Sequence, residues 1–453
     1  MLGDGVMFAT RQTALSQTKF HFARTQIKSG LLILLILTLL YSFSVTCGGG
    51  NGTISKVTGS EVSYGQFHSR NTDLTGSVGD SHVPLSPANT RIITVAKDGS
   101  GRYTSIQAAV KASKPGDTIK VKNGTYVERV NFTINGTQSK PITLMNYPGH
   151  SPVIDPGGKQ YSDDATKRVL INASWIIIDG FEIKYGWDGI KVLNPHVTIR
   201  NNHIHHNKYQ GILVTSVGDI LIENNKIEWN GTDPGTCVKS KWGGFSPKHC
   251  HAIYVGDYFC TGVSNITIRR NTLQNQAGRG VQWNGKTQCL SPGFTNQLVE
   301  NNLFVNNSVH LMLFYGVKDS VFRNNTFVAT SYPSTNDKQH ANVGIWGNAT
   351  GNTFRNNIFY STLKDYKGIN SKTTSTFGTR FDCNVWKVST DSWTWNNTGR
   401  KDFTTNYQKV TGWDGNGRCC EVDPGFVNIS KGDYSIDANS STRNIGANSE
   451  CLR

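Results

Sequence analysis

One short pattern recurs between Val169 and Tyr360: apolar–x–apolar, then Asn–x–apolar, then a polar turn. Its copies are Arg200-Asn201-Asn202-His203-Ile204, Glu223-Asn224-Asn225-Lys226-Ile227, Arg270-Asn271-Thr272-Leu273, Glu300-Asn301-Asn302-Leu303-Phe304, Arg323-Asn324-Asn325-Thr326-Phe327 and Arg355-Asn356-Asn357-Ile358-Phe359. Asp179-Gly180-Phe181 is an earlier, weaker copy. Counted on the Asn or Asp two places before the apolar residue, the steps are 23, 23, 46, 31, 23 and 32 residues. The unit is therefore 23, and the longer steps carry insertions. A unit this short cannot bury its own apolar face, so the pattern predicts a solenoid of stacked rows.

The rows align on an apolar–x–apolar strand: Ile190-Lys191-Val192, Ile212-Leu213-Val214, Ile253-Tyr254-Val255, Val281-Gln282-Trp283 and Met312-Leu313-Phe314. Side chains alternate along a strand, so the first and third of each triplet stack as core and the middle one faces out. A second strand follows, at Val197-Thr198-Ile199, Ile220-Leu221-Ile222, Ile266-Thr267-Ile268, Leu298-Val299 and Val321-Phe322. The repeated Asn falls at the bend after it. A buried amide there can bond the Asn above and below and satisfy turn backbone that would otherwise be orphaned. That makes the column structural.

Residues 1–47 form a signal or anchor segment: basic positions Arg11, Lys19, Arg24 and Lys28 precede an aliphatic run from Leu31 to Val45. The run is short for a membrane span and fits the core of a signal peptide. Ser44-Val45-Thr46-Cys47 resembles a bacterial lipoprotein cleavage box with Cys47 as the lipidated residue, although Ser44 and Thr46 depart from it. Lipoprotein, uncleaved anchor and simple secretion all place the remainder outside the cytoplasm. Residues 48–90, rich in Gly, Ser, Thr and Asn, read as a flexible linker. The solenoid is expected over 91–362, with further turns and a cap over 363–453. Near 104–113, Thr104 can cap a helix with Ile106, Ala109 and Val110 on one face, a cover for the open first row.

Charged residues are 17% of the chain, Gly numbers 47 and the formal net charge is +15. The composition is that of turns and strands. Basic runs, zinc-finger spacing and a recognition-helix pattern are all missing, which counts against nucleic acid. An acidic polysaccharide or a merely cationic surface accounts for the charge. Apart from Cys47, eight cysteines remain: Cys237, Cys250, Cys260, Cys289, Cys383, Cys419, Cys420 and Cys451. An even number suits disulfides in an oxidising compartment. Cys237–Cys250 and Cys260–Cys289 are the preferred pairings, with the other four stapling the C-terminal region. A zinc site of Cys237, His249, Cys250 and His251 is the alternative.

Several segments resemble the opening of pectate-lyase-like right-handed parallel β-helix proteins. They are Ala96-Lys97-Asp98-Gly99-Ser100-Gly101, Ser105-Ile106-Gln107-Ala108-Ala109-Val110, Pro115-Gly116-Asp117-Thr118-Ile119, Asn123-Gly124-Thr125-Tyr126, Pro141-Ile142-Thr143 and Tyr147-Pro148-Gly149. Asp423-Pro424-Gly425-Phe426-Val427 with Gly432-Asp433-Tyr434 is similar to the C-terminal cap of bacterial members. The resemblance covers roughly residues 91–450, and within the superfamily it is nearest to extracellular polysaccharide lyases. It implies an all-β fold, a right-handed parallel β-helix with an N-terminal capping helix. The scaffold serves lyases, hydrolases, epimerases and esterases alike, so activity must be argued from the site. Family lyases use Lys or Arg as base with calcium held by acidic ligands. Here only Asp188, Glu223, Glu228, Asp257 and Glu300 are scattered over the rows, so Ca2+ stays an implication of the resemblance.

Novelty in a solenoid collects in loops on one side. The largest insertion, Gly231 to Cys250, holds Lys239, Lys241, Trp242, Lys248 and His249. Two places before each core triplet stand Asp188, Gln210, His251, Arg279 and His310, beside the outward column Lys191, Leu213, Tyr254, Gln282 and Leu313. A Gly or Ala between them allows a bend that turns these side chains outward. Rows lie about 4.8 Å apart, so groups on neighbouring rows can touch one sugar. Elimination across a uronate needs its carboxylate neutralised, a base for the adjacent proton and an acid for the leaving oxygen. Arg279 suits the first, His251 the second and Tyr254 or Lys248 the third, with His310 in the same cluster. Lys191, Trp242, Gln282 and Asp188 are expected to contact substrate. The expected partner is an acidic polysaccharide, met by a monomer exported or tethered to a membrane. Rival readings are a non-catalytic carbohydrate-binding or adhesion protein, and a glycoside hydrolase or uronate epimerase. A hydrolase normally needs a carboxylate pair, which the rows do not show.

Overall fold

The computed structural model describes residues 90–156, 168–232, 250–285, 292–332, 340–372, 378–388 and 423–443. Short pieces at 166, 393–395, 398–400, 414–415, 418–419 and 445–446 are described too. Three sheets, each of 11 strands among the described residues, build a parallel β-helix. The chain passes from the first sheet (Ile92–Val95 to Arg380–Asp382) to the second (Thr125–Tyr126 to Arg418–Cys419) and the third (Val130–Phe132 to Trp393–Trp395), then returns to the first one row further on. Pairing is parallel throughout these sheets except where Trp393–Trp395 meets Thr398–Arg400. The parallel crossover is the connection that a solenoid row supplies.

Alternation decides what is inside. In the first sheet Ile176, Val197, Ile220 and Ile266 stand in register, as do Ile178, Ile199, Ile222 and Ile268, and all are buried. Toward the C-terminal end the stacks turn aromatic. Phe322, Phe354 and Phe381 lie 4.5 and 4.3 Å apart ring to ring, nearly parallel. Each such side chain contributes roughly 1.5–3 kcal/mol by leaving water. The open N-terminal row is covered by the helix Ile106–Lys111, whose Ile106, Ala109 and Val110 are buried. Its cap is Ser105 rather than Thr104: the Ser105 hydroxyl accepts from the Ala108 N–H at 3.3 Å. The Glu128 carboxylate takes the Ile106 and Gln107 N–H groups, both at 2.9 Å, satisfying donors that a helix start leaves free.

The Asn column is a continuous ladder. Nδ2 of Asn202, Asn225, Asn271, Asn302, Asn325 and Asn357 donates at 2.9–3.1 Å to the side-chain oxygen of the next member, ending on Asn384. Each member's backbone N–H donates to the same oxygen. The preceding residue (Asn201, Asn224, Arg270, Asn301, Asn324, Asn356 and Cys383) has positive φ, a left-handed bend that Asn tolerates better than most side chains. Two further ladders were not anticipated. Asn207, Asn230, Gln276 and Asn307 line the bend between the second and third sheets. Gln297, Ser320 and Asn352 line the bend between the third and first.

Two register expectations are corrected. Asp179 is not a ladder member, because it pairs in register with Arg200. The ladder oxygen of Asn202 is met instead by the backbone N–H of Phe181. In the third sheet Val281 and Trp283 pair with Leu311 and Leu313. The last core triplet is thus Leu311-Met312-Leu313, one place earlier than the alternation of Met312 and Phe314 implies. The bend before it, 306–308, is shorter than 275–280 in the row before, and the strand Val309–Phe314 starts earlier to compensate.

Candidate functional site

From Asp179 onward the bend between the first and second sheets is two residues in every described row, as at 201–202 and 301–302. Both edges of the third sheet are different. Chain enters it through the long connections 229–252 and 330–340 and leaves through 258–265 and 286–297. Side chains of consecutive rows converge on its outer face.

Lys191, Leu213, Tyr254, Gln282 and Met312 stand in register on that face. The column two places before each core triplet does turn outward to meet it. His251 stacks on Tyr254 of its own row, rings 5.4 Å apart at 18°. Arg279 Nη1 donates to Gln282 Oε1 at 2.8 Å. Nδ1 of His251 accepts the backbone N–H of Arg279 at 3.1 Å, which ties the two rows together. The Tyr254 hydroxyl accepts from Asn284 Nδ2 at 2.9 Å. Tyr258 lies beside Tyr254, with its phenol pushed up by burial and by Tyr254.

His251 and Arg279 are buried, at 0% and 2% exposure, and Tyr254 is nearly so at 7%. Asp188 is buried in an ion pair with Arg168, and burial holds its carboxyl above the usual carboxylate range despite that partner. Lys191 is a half-buried cation on the face. Burial and the Arg168 charge lower its affinity for the proton, and Asp188 opposes them. Sequence reasoning put Lys191 among the substrate contacts and gave it no part in the chemistry.

His310 does not join the cluster. The corrected register puts it one place closer to the core triplet, in the column of Gly189, Gly211, Ala252 and Gly280, which points inward. A Cβ on Gly211 would lie 2.5 Å from Ile227, and one on Gly280 2.7 Å from Phe304. His310 fills that corner among Phe304, Phe327 and Tyr366. Burial drops its pKa to about 3, so the ring is neutral. It is a core histidine.

Lys248, Trp242, His249, Cys237, Cys289, Cys420, Cys451 and Cys47 lie outside the described residues. Cys250 and Cys260 are disulfide-bonded; the two expected pairings each have their other member among the residues not described. Among the described residues no group of three or more His, Cys, Asp or Glu is placed to hold a metal ion. Asp188 is committed to Arg168, and Asp257 accepts the Thr261 and Gly262 N–H groups. Both carboxylates are thus already engaged by groups of the chain itself. No helix of the described residues is long and apolar enough to cross a membrane, and residues 31–45 are not among them.

A second titratable cluster lies on the outer face of the second sheet. His203 meets Glu228 at 2.7 Å, and His205 meets Glu182 at 3.3 Å and His206 at 2.6 Å. Burial and the neighbouring imidazoles take His205 down to about 4. Burial disfavours the Glu228 carboxylate, but His203, Lys226 and Gln274 outweigh it and hold the pKa at about 2.

Residues 94–260 match the family described as the Pel9A-like, right handed beta helix region. Over that part of the chain the stacked parallel rows are similar to a right-handed β-helix of that kind. A curated relative, pectate lyase L of Dickeya chrysanthemi, is 26% identical over 178 residues, 35% of this chain and 41% of that protein. This chain thus matches less than half the length of that relative. Among solved structures, pectate lyase Pel9A is 16% identical with a TM-score of 0.49, covering 81% of this chain and 94% of its own. Alginate lyase from Paenibacillus sp. str. FPU-7 is 18% identical with a TM-score of 0.46, covering 65% and 95%. Among the described residues, polar side chains of successive rows stack on the outer side of the third sheet.

Proposed function

We propose that this protein is an exported lyase that cleaves a uronate-containing polysaccharide by β-elimination along the outer face of the third sheet. The observation that carries the reading is Lys191, a cation with depressed proton affinity on the outer face of the third sheet, across Leu213 from Tyr254. Lys191 and Tyr254 are two rows apart, about 10 Å at the backbone, and Leu213 between them offers an apolar floor to a sugar ring.

Elimination takes a proton from the carbon beside the carboxylate, and the released electron pair forms a C=C bond as the glycosidic C–O bond breaks. The neutral Lys191 amine receives that proton; an amine must be partly deprotonated to act as base, which burial beside Arg168 favours. The Tyr254 oxygen already accepts from Asn284, leaving its O–H to donate to the departing oxygen. Arg279, one row beyond Tyr254, supplies the positive charge that stabilises the carboxylate as charge builds on it. His251 is buried against Tyr254 and bonded to the Arg279 backbone. Its role becomes that of a positioning residue, in place of the base assigned from sequence.

The match to pectate lyase L supports a polyuronate substrate, and disulfide-bonded Cys250 and Cys260 support an oxidising, extracytoplasmic compartment. The test is a panel of polyuronates followed by ultraviolet absorbance of the conjugated product. Wild type is expected to generate that absorbance on at least one polymer. Lys191→Met is expected to abolish it while binding persists. Binding without absorbance on any polymer would replace the lyase with a carbohydrate-binding protein, and full activity in Lys191→Met would remove Lys191 as the base.

A further inference from the structure

Beyond Arg279 the outer face of the third sheet changes from polar to apolar. Val309, Met312 and Ala341 form a buried cluster outside the main core, and the half-exposed rings of Phe314 and Trp346 pack on it. Gly344 makes this floor flat. It pairs in register with Met312, and a Cβ there would lie 2.2 Å from the Met312 sulfur. Phe314 and Trp346 meet edge to face, with centroids 4.6 Å apart at 77°.

Cations sit on both rings. The Arg279 guanidinium lies 5.6 Å from the Phe314 centroid, and Lys372 Nζ lies 4.2 Å from that of Trp346. Lys367, in register with Ala341, has its proton affinity lowered by burial and by Lys372. The strip is continuous with the proposed active face, because Asn284, Phe314 and Trp346 occupy one column in successive rows. A purely apolar partner would have to desolvate the lysines. A purely anionic one would leave the aromatic floor unused. An acidic sugar has both an apolar C–H face and a carboxylate, and matches both.

We propose that Phe314 and Trp346, with Lys372 and Lys367, form a stacking platform for distal residues of a uronate polymer. The proposal rests on the function argued above and adds where the remainder of the chain lies. The Lys191 and Trp346 rows are five steps apart, about 24 Å. A long polymer therefore reaches both, and a short oligomer bound at Lys191 does not reach the platform. The platform contributes affinity for the polymer without entering the chemistry.

The test compares wild type with Trp346→Ala, Trp346→Leu and Lys372→Ala. Affinity electrophoresis in gels containing polygalacturonate or alginate reads polymer binding, and initial absorbance rates are taken on polymer and on trimeric or tetrameric uronides. For Trp346→Ala we expect at least ten-fold weaker polymer binding with the oligomer rate within two-fold of wild type. Trp346→Leu keeps the site apolar and guards against loss of fold; it is expected to bind polymer weakly too. Wild-type polymer affinity in both Trp346 variants, or an equal loss on oligomers, overturns the platform while leaving the lyase reading intact. A change only in oligomeric state assigns the patch to self-association and likewise overturns it. Failure of wild type to bind any polyuronate removes the platform and the lyase reading together.

Discussion

Asn224 and Asn225 are neighbours of the same type with opposite surroundings, and their substitution separates ladder from bend. Asn225 is buried. Its Oδ1 accepts the Asn202 backbone N–H at 3.0 Å, and its Nδ2 donates to Ile199 O at 2.9 Å and Asn271 Oδ1 at 3.0 Å. Alanine at 225 strands the Asn202 N–H, at about 1–3 kcal/mol, and forfeits two donor bonds at about 0.5–1.5 kcal/mol each, for a central value near 4 kcal/mol. Asn224 is exposed at φ 55°. Alanine there costs about 1 kcal/mol for the left-handed backbone, and glycine costs nothing on that account. Urea unfolding reads the difference. With a slope of about 3 kcal/mol/M, Asn225→Ala moves the midpoint down by roughly 1.3 M. Hydrogen exchange at the Asn202 amide gives a local readout independent of how cooperatively the rows unfold. Equal midpoints for Asn224→Ala and Asn225→Ala, or an Asn202 amide as protected in Asn225→Ala as in wild type, would refute the ladder argument.

Two buried titrating groups give pH slopes of opposite sign. His310 has a folded pKa of about 3 against an ordinary 6.5. Its contribution is complete above 6.5 and is lost as pH falls, by about 3 kcal/mol at pH 4.5. His310→Gln should flatten that limb of a stability–pH profile, and an unchanged profile would count against a buried neutral ring. Asp414, with a folded pKa of about 6 against 3.8, favours the fold most below 3.8 and loses about 3 kcal/mol as pH rises through 6. The wild-type slope between pH 4 and 7 should therefore be steeper downward than that of Asp414→Asn. Gly211→Ala, whose new Cβ would lie 2.5 Å from Ile227 and 2.8 Å from the Ala252 carbonyl, should destabilise by roughly 1–3 kcal/mol in the same urea assay.

The period of two and the Asn spacing made the stacked rows legible, because both arise within one row and repeat. Register between rows was less so. Met312 and Phe314 alternate as plausibly as Leu311 and Leu313, and only the shortened bend at 306–308 shows which pair faces inward. That one-place slip moved His310 from the core corner to the surface. The side ladders had a signal that was overlooked. Asn207, Asn230, Gln276 and Asn307 each lie five residues after a member of the main ladder, and Gln297, Ser320 and Asn352 five before one. Mixed residue types hid them, since Ser, Gln and Asn satisfy the same backbone groups equally well. For the site, the pairing of His251 with Tyr254 followed from row alignment. The burial of His251 and Arg279, and the proton affinity of Lys191, depend on neighbouring rows that no single row announces.

The main ladder also has a direction. Every Nδ2 from Asn202 onward points to the next row, so the amide dipoles add along the axis instead of cancelling. Such a column must begin at a group that only donates and finish at one that only accepts. It begins at the Phe181 backbone N–H. It finishes at Asp414, whose carboxylate takes Asn384 N and Nδ2 at 3.1 and 3.2 Å together with the Trp386 indole. A carboxylate makes no demand on a further row, whereas another Asn would leave two N–H groups seeking a partner. Asp414 thereby acts as a stop signal that sets the ladder's length. Extra rows grafted between Asn202 and Asn384 would extend the column, and rows added after Asp414 would have nothing to receive.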